Sequence, residues 1–303
     1  MPRQMVDAQN LASDVGRYNL LVNAGFETWQ RGVGPFTASE AYTSDRWQMH
    51  FAGTDTMSCT RESNNVDSAG SWFSMNVAYT KGTGTGAYVQ QVLSDGGTFG
   101  LQLRNRTLSV SVRVRANAAN AVRLWLYSDG NSGGGSGAVQ TYSPYHPGDN
   151  TWRTLTATLN VPAANFVNVA IFFEATVTAQ LDNAWLGYGP VPLDFVPLHP
   201  ADDMVRCHRY YETGQNNPGG MIIRTYAGSA SQVFGQMIWF KARKSTTPTF
   251  TLVGTWGMVN CVTPAFDYGG ADAVEIFSTS NAAGFSQFYT SSVNIYWVAE
   301  ANS

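Results

Sequence analysis

Any chemistry in this chain of 303 residues has to come from a small set of side chains. Gly130 to Gly134 reads GNSGG and satisfies G-x-S-x-G literally. A nucleophile elbow needs a strand before the serine and a helix after it, whereas this run sits in the glycine-rich stretch Ser128 to Gly137. The GTGTG run at Gly82 to Gly86 lacks the helix and the acidic partner of a dinucleotide site and reads as a loop. Four histidines, His50, His146, His199 and His208, show neither HxH nor HExxH spacing, so they signal no metal and no paired base. What the sequence does offer is rings. In Val122 to Tyr127, Arg123, Trp125 and Tyr127 alternate with Val122, Leu124 and Leu126, which puts two aromatics on the face opposite the apolar one. Trp72 and Tyr88 stand beside Gly-rich or Ser-rich loops that would rim the same concavity. Flat rings stack on the C–H faces of pyranoses, with amides and carboxylates bonding the hydroxyls, so Trp125, Tyr127, Trp72 and Tyr88 are the candidates for carbohydrate binding. The same rings serve as well for core packing or subunit contacts.

The elements that would carry these residues are strands. Charged residues make up only 13% of the chain and aromatics 13%, with 30 glycines, so turns and flat surfaces replace the charged faces of helices. The clearest strand is Thr107 to Ala116, where Leu108, Val110, Val112 and Val114 alternate with Ser109, Ser111, Arg113 and Arg115. Thr154 to Val161 and Asn168 to Glu174 add to it, and together these runs predict an antiparallel sandwich. Near Gly187 the texture changes: Gly189, Pro190, Pro192, Pro197 and Pro200 suggest a linker. The organisation expected is an arm over 1–17, a first domain over 18–189 and a second over 190–303. Ala201 to Tyr211 is the good helix candidate, with acidic residues at its start. Beyond it, Gly219 to Ile223, Gln232 to Ala242, Thr249 to Val253, Ala273 to Ser278 and Val293 to Ala299 read as strands. The fold class is therefore all-β, two antiparallel β-sandwich domains with one short helix opening the second.

Several functions are disfavoured. A formal net charge of −3 argues against a surface for nucleic acid, which needs clustered Lys and Arg. Cys59, Cys207 and Cys261 are odd in number and lack a CxxC pair, and read as reduced core thiols. Met1 to Tyr18 has no apolar h-region and no window approaches about 18 apolar residues, so neither a signal peptide nor membrane insertion is expected.

Two resemblances cover most of the chain. Asn19 to Gln30 (NLLVNAGFETWQ), Gly86 to Val92 (GAYVQQV), Thr107 to Ala116, Thr151 to Thr156 (TWRTLT) and Ala179 to Leu186 (AQLDNAWL) resemble, in order, the segments of jelly-roll carbohydrate-binding modules. This resemblance makes the first sandwich a jelly roll, with Asn19 to Gln30 as its opening strand. It also implies a structural Ca2+ that clips the first strand to the last through Glu27 and Asp182, the alternative being that these carboxylates simply hydrogen-bond strand ends. Trp29, Trp47, Trp152 and Trp185 lie inside the motifs and are expected to pack. The second resemblance is to phage tail-fibre and virion-surface proteins. Trp29 to Gly32 (WQRG), Tyr42 to Trp47 (YTSDRW), Asp194 to Glu212, Phe240 to Thr249 and Trp297 to Ala301 carry it, with His199 and His208 where that family often has Arg and Gln.

Together the resemblances imply a non-enzymatic fibre or head spike on the surface of a phage or gene-transfer-agent virion, assembled in the bacterial host cytoplasm. Its partners would be its own copies in a homotrimer, other capsid or tail proteins, and host surface polysaccharide. Gly254 to Ala265 and Ala282 to Tyr296, apolar and charge-poor, suit an intersubunit surface or ordinary core. Two alternatives are a structural decoration or baseplate component that binds no glycan, and a glycan-degrading spike using two carboxylates on one groove.

Overall fold

The computed structural model describes residues 19–67, 71–93, 102–129, 138–162, 166–214, 221–292 and 294–302. The expected arm over 1–17 and the GNSGG run lie outside these. Two compact units divide the chain, Met1–Asp203 and Met204–Ser303, so the proline-rich run after Gly187 belongs with the first.

The first unit contains β1 (Gln48–His50), β2 (Thr56–Glu62), β3 (Ser74–Thr80), β4 (Ala87–Leu93), β5 (Thr107–Ala116), β6 (Val122–Asp129), β7 (Val139–Tyr142), β8 (Trp152–Asn160), β9 (Phe166–Phe173) and β10 (Val177–Tyr188). They form two five-stranded sheets, ordered β2-β3-β10-β5-β8 and β1-β4-β9-β6-β7. From β3 to β10, successive strands are dealt between the sheets so that β3, β10, β5 and β8 are neighbours in one and β4, β9, β6 and β7 in the other. That is the order of two interleaved Greek keys, a jelly roll. β1 and β2 each widen one sheet by a strand.

Alternation explains the core. Leu108, Val110, Val112 and Val114 of β5 face Val122, Leu124 and Leu126 of β6 and Val167, Val169, Ile171 and Phe173 of β9, all buried. Trp29, Trp47 and Trp185 are buried as expected, and Trp152 is half-buried. The three cysteines are free and buried.

Asn19 to Gln30 departs from the expected opening strand. Asn23 and Phe26 have positive φ, which breaks an extended backbone. The buried Asn23 side chain folds the segment on itself, donating to the carbonyls of Thr28 (2.9 Å) and Asp45 (3.1 Å) and accepting from the Thr28 N–H (2.8 Å). The segment still docks beside β10, through Leu20 N–H to Leu186 O and Ala184 N–H to Ala24 O.

The helix α1 (Pro200–His208) begins with proline at its first position and is capped by His199, whose carbonyl accepts from Asp202 and Asp203. It ends before Tyr211, earlier than its periodicity predicts, because Tyr211 pairs with Glu300 in a sheet. The second unit holds β11 (Tyr211–Thr213), β12 (Ile222–Ala227), β13 (Val233–Trp239), β14 (Thr249–Val253), β15 (Gly257–Val259), β16 (Ala265–Asp267), β17 (Ala273–Thr279), β18 (Gly284–Tyr289) and β19 (Tyr296–Glu300). Three three-stranded antiparallel sheets, β11-β19-β14, β12-β18-β15 and β13-β17-β16, place the last three strands at the centres. Ile223, Trp256, Cys261, Ile276, Phe288 and Ile295 form a core among them.

A buried ion pair ties this unit together. Lys244 Nζ lies 2.7 Å from Glu212 Oε2 and also donates to the His208 carbonyl, and both side chains are essentially inaccessible. Burial holds the Lys244 pKa below the usual lysine range, opposed by its bond to Glu212. Lys244→Met leaves a buried carboxylate without its counter-charge, only the Lys241 N–H still donating to it, and is expected to cost about 3–5 kcal/mol, much of it recovered in the double variant Lys244→Met/Glu212→Gln. Urea unfolding followed at the second unit's transition tests this, and a single-variant loss under about 1 kcal/mol would place the pair in the class of solvated bridges.

Candidate functional site

The outer face of the sheet β1-β4-β9-β6-β7 gathers side chains in cross-strand rows. One row runs His50, Tyr88, Phe172, Arg123, and the next runs Gln48, Gln90, Ala170, Trp125, Tyr142. Asn168, Tyr127 and Gln140 continue in register below. Tyr88 stacks on His50 at 4.6 Å and on Phe172 at 6.0 Å, with interplanar angles of 17° and 16°. Trp125 is turned across this line, meeting Tyr88 and Phe172 edge-to-face at 60° and 71°, and stacks on Tyr142 at 6.1 Å. Its room comes from Ala170, the small neighbour on β9 directly opposite it. Tyr127 tilts against Trp125 at 5.2 Å. All of these rings are half-buried, so they form a floor and do not stand free.

Amides border the floor with a fixed polarity. The Glu40 carbonyl, which can only accept, takes Gln48 Nε2 at 3.0 Å. Gln48 Oε1 then accepts from Gln90 Nε2 at 3.1 Å, and Gln90 Oε1 from Asn168 Nδ2 at 2.5 Å. Asn168 Oδ1, at the end of the line, is an acceptor with no partner among the described residues. Trp125 Nε1 donates to Gln140 Oε1 at 3.1 Å. Charges are cancelled locally: Arg123 binds Glu174 at 2.6 Å and lies over the rings of Tyr142 and Tyr145, and Tyr145 donates to the same carboxylate. Burial and a bond to Asp129 raise the Tyr127 pKa, so its hydroxyl stays neutral.

Of the residues expected from sequence, Trp125, Tyr127 and Tyr88 meet here. Trp72 does not. It is 78% exposed just before β3, in the other sheet, and makes no ring contact with this face among the described residues. Sequence reasoning missed Phe172, Tyr142, Ala170 and the amide line. The alternation of Asn168, Ala170 and Phe172 against Val167, Val169 and Ile171 carried a signal for the first of these. The WQRG and YTSDRW segments serve folding, with Asp45 accepting from the Gln30 N–H (3.1 Å), Arg46 donating to the Val92 carbonyl (2.6 Å) and Phe26 stacking on Trp47 at 4.7 Å.

Glu27 and Asp182 both hold the segment ahead of β3. Asp182, fully buried, accepts from the Asp67 N–H (2.9 Å) and the Ser71 hydroxyl (3.0 Å), and Glu27 from the Trp72 N–H (2.8 Å). Calcium needs about six to eight oxygen ligands. Among the described residues no group of three His, Cys, Asp or Glu is placed to hold a metal; both Asp182 oxygens accept from N–H or O–H donors, and Glu27 Oε1 accepts from the Trp72 and Phe73 N–H groups. The described residues therefore do not make up a calcium site by themselves.

The fold and this face define a jelly-roll β-sandwich with an aromatic, amide-bordered sheet. No protein-family model and no curated protein sequence matches the chain. Among solved structures, it is similar to the enzymatically active domain of tailspike protein 4 of bacteriophage CBA120, at 14% identity and TM-score 0.41, over 56% of this chain but only 21% of that one. A family 11 carbohydrate-binding module from Clostridium thermocellum, in complex with a mixed-linked tetrasaccharide, aligns at 16% identity and TM-score 0.35 over 53% of this chain and 98% of its own. A xylan-binding domain from Paenibacillus barcinonensis aligns at 13% identity and TM-score 0.35 over 52% and 94%. At such scores the assignment of fold rests on the strand order itself.

Burial raises the Asp182 pKa to about 7, against the hydrogen bonds it accepts, with nearby Asp67 adding to the rise. A carboxyl that binds its proton more tightly folded than unfolded loses stabilising effect as pH rises from about 4 toward 7. The thermal midpoint of the first unit should fall across that window, and Asp182→Asn should flatten the slope. Millimolar calcium is expected to leave the midpoint at pH 8 unchanged, whereas a calcium-dependent rise abolished by Asp182→Asn would assign the ion to the Glu27 and Asp182 pair.

Proposed function

We propose that the chain is a non-enzymatic glycan-binding protein of a virion surface, a fibre or spike that attaches to host surface polysaccharide through the outer face of β1-β4-β9-β6-β7. One observation carries the glycan reading: Tyr88, Trp125, Tyr127, Tyr142 and Phe172 make a continuous aromatic floor edged by Gln90, Asn168 and Gln140. A sugar offers an apolar C–H face and a ring of hydroxyls; the rings supply the stacking surface, and the exposed Gln140 at its edge an amide for the hydroxyls, while Gln90 and Asn168 are buried beneath. With Arg123 and Glu174 paired, the face selects by shape and hydroxyl pattern and not by charge. The carboxylates beside it, Glu174, Asp129 and Glu40, are engaged by Arg123, Tyr127 and His50, which speaks for binding and not cleavage.

The virion assignment is supported by the tail-fibre-like segments of the sequence. A homotrimer accords with the second unit, where Tyr226, Trp239 and Tyr268 are 79%, 73% and 77% exposed and each three-stranded sheet ends in edge strands. A three-fold axis would cover such apolar surface and multiply weak glycan contacts by avidity.

Binding of the purified protein to bacterial cells with and without their surface polysaccharide tests the reading. Saturable binding that disappears with the polysaccharide is expected, and Trp125→Ala should weaken it about tenfold, as loss of one stacking ring implies. No binding to either cell type would leave a structural decoration of the particle as the function. Sedimentation should give about three times the 32.9 kDa chain mass; a monomer at micromolar concentration would remove the trimer from the proposal.

A further inference from the structure

The sheet on the opposite side of the jelly roll carries a groove that the aromatic floor does not use. Ser111, Arg113, Thr154 and Thr156 line it from β5 and β8, and the segment Val191 to Phe195 forms its wall. Its volume is about 650 Å³, within the roughly 300–1,000 Å³ of small-ligand sites.

The polar floor is built and held. Arg113 Nε and Nη2 bind Asp67 at 2.7 and 3.1 Å, Nη1 binds Thr154 Oγ1 at 3.1 Å, and Asn183 Nδ2 steadies the same Asp67 at 3.2 Å. Because Thr154 Oγ1 accepts from Arg113, its own proton points elsewhere, and the guanidinium keeps donors beyond the three it uses. Ser111, 6% exposed, Thr156 and Asp194 line the same space, and their side-chain oxygens make no hydrogen bond among the described residues. Across from them the wall presents Val191, 68% exposed, and Leu193, 39% exposed.

We propose that this groove is a second glycan-binding site, one that takes a short neutral stretch of polysaccharide. The apolar wall covers a C–H face, and the hydroxyls of Ser111, Thr154 and Thr156 with Asp194 and Arg113 exchange hydrogen bonds with the sugar's hydroxyls. A free carboxylate at Asp194 and a guanidinium already neutralised by Asp67 disfavour acidic sugars and phosphates. The groove's own groups make up this site, so it survives or falls apart from the aromatic floor. Two sites on opposite faces of one sandwich let a single chain hold two polysaccharide strands at once.

Calorimetric titration of the full chain with neutral gluco-, galacto-, manno- and xylo-tetrasaccharides, repeated on an array that includes acidic glycans, tests it. Thr156→Trp fills the groove from an exposed strand position, Asp194→Asn removes its free carboxylate, and Trp125→Ala damages the other face. Expected are residual saturable binding of a neutral glycan by Trp125→Ala, and a further loss of at least about tenfold when Thr156→Trp is added. Asp194→Asn alone should weaken that residual binding several-fold with an unchanged circular dichroism spectrum. If Trp125→Ala abolishes all binding and Thr156→Trp changes nothing, the groove proposal is overturned and the aromatic floor stands. If Thr156→Trp removes binding and Trp125→Ala does not, the groove stands and the aromatic floor falls. Preference of the residual site for acidic glycans overturns the proposal, and so does a shift in sedimentation mass on Thr156→Trp without loss of glycan, which would assign the groove to a second copy of the chain. A wild-type protein that binds none of these glycans refutes both sites.

Discussion

In the first unit, everything outside the core is dictated by the need of each sheet to bury one face against the other. On β6 the core takes Val122, Leu124 and Leu126, and on β9 it takes Val167, Val169, Ile171 and Phe173. With a side-chain period of two, Arg123, Trp125 and Tyr127 then have to face outward, as do Asn168, Ala170 and Phe172. The antiparallel registers bring these outward sets together across β4, β9 and β6. A slip of one residue on any of these strands would send aromatic and amide groups into the core and valines to the surface, so the register that holds the fold also holds the site.

Amides covered on a sheet face are tolerable only when their polar atoms are organised, because a buried amide without partners forfeits its hydrogen bonds to water. The line from the Glu40 carbonyl through Gln48 and Gln90 to Asn168 achieves this on three strands, and its direction follows from one obligatory acceptor at its origin. The lone acceptor at its far end, Asn168 Oδ1, lies cross-strand from Tyr127. That atom is buried, so a proton donor reaches it only if the side chains over it move. Arg123 meets the same demand only in part: Nη2 binds Glu174 and its Cζ lies 3.8 and 4.8 Å from the Tyr142 and Tyr145 ring centroids, while its buried Nε has no partner among the described residues.

How much of this could be read from the sequence depends on the length of each pattern. Thr107 to Ala116 alternates over a full strand and is found with both ends correct. Gln48–His50, Gly257–Val259 and Ala265–Asp267 span three residues each, too few for a period to register. In β10 the register shifts between Asp182 and Trp185, so its alternation is broken midway and only a resemblance picked it out. NLLV in Asn19 to Val22 has strand composition, yet the backbone there is decided by Asn23 hydrogen bonds to residues five and about twenty positions away. Trp125 and Tyr127 are legible as outward-facing rings because their own strand sets their direction. The roles of Gln90 and Asn168 are not, because they exist only once β1, β4 and β9 are in register.

Two tryptophans on the outer faces of the sandwich, Trp125 and Trp185, use one device to opposite ends. Each lies beside a residue too small to compete for the space, Trp125 across from Ala170 and Trp185 over Gly187, where a Cβ would overlap the indole ring. Trp185 is 1% exposed and lies cross-strand from Ser111, with its Nε1 buried and without a partner among the described residues. Trp125 keeps a half-exposed ring among other half-exposed rings. Since the local arrangement of large ring and small neighbour is the same, residue type alone does not tell a structural tryptophan from a binding one. What separates them is burial: Trp185 is enclosed, whereas Trp125 stands in an open row of half-buried rings, the arrangement on which the proposed glycan site rests.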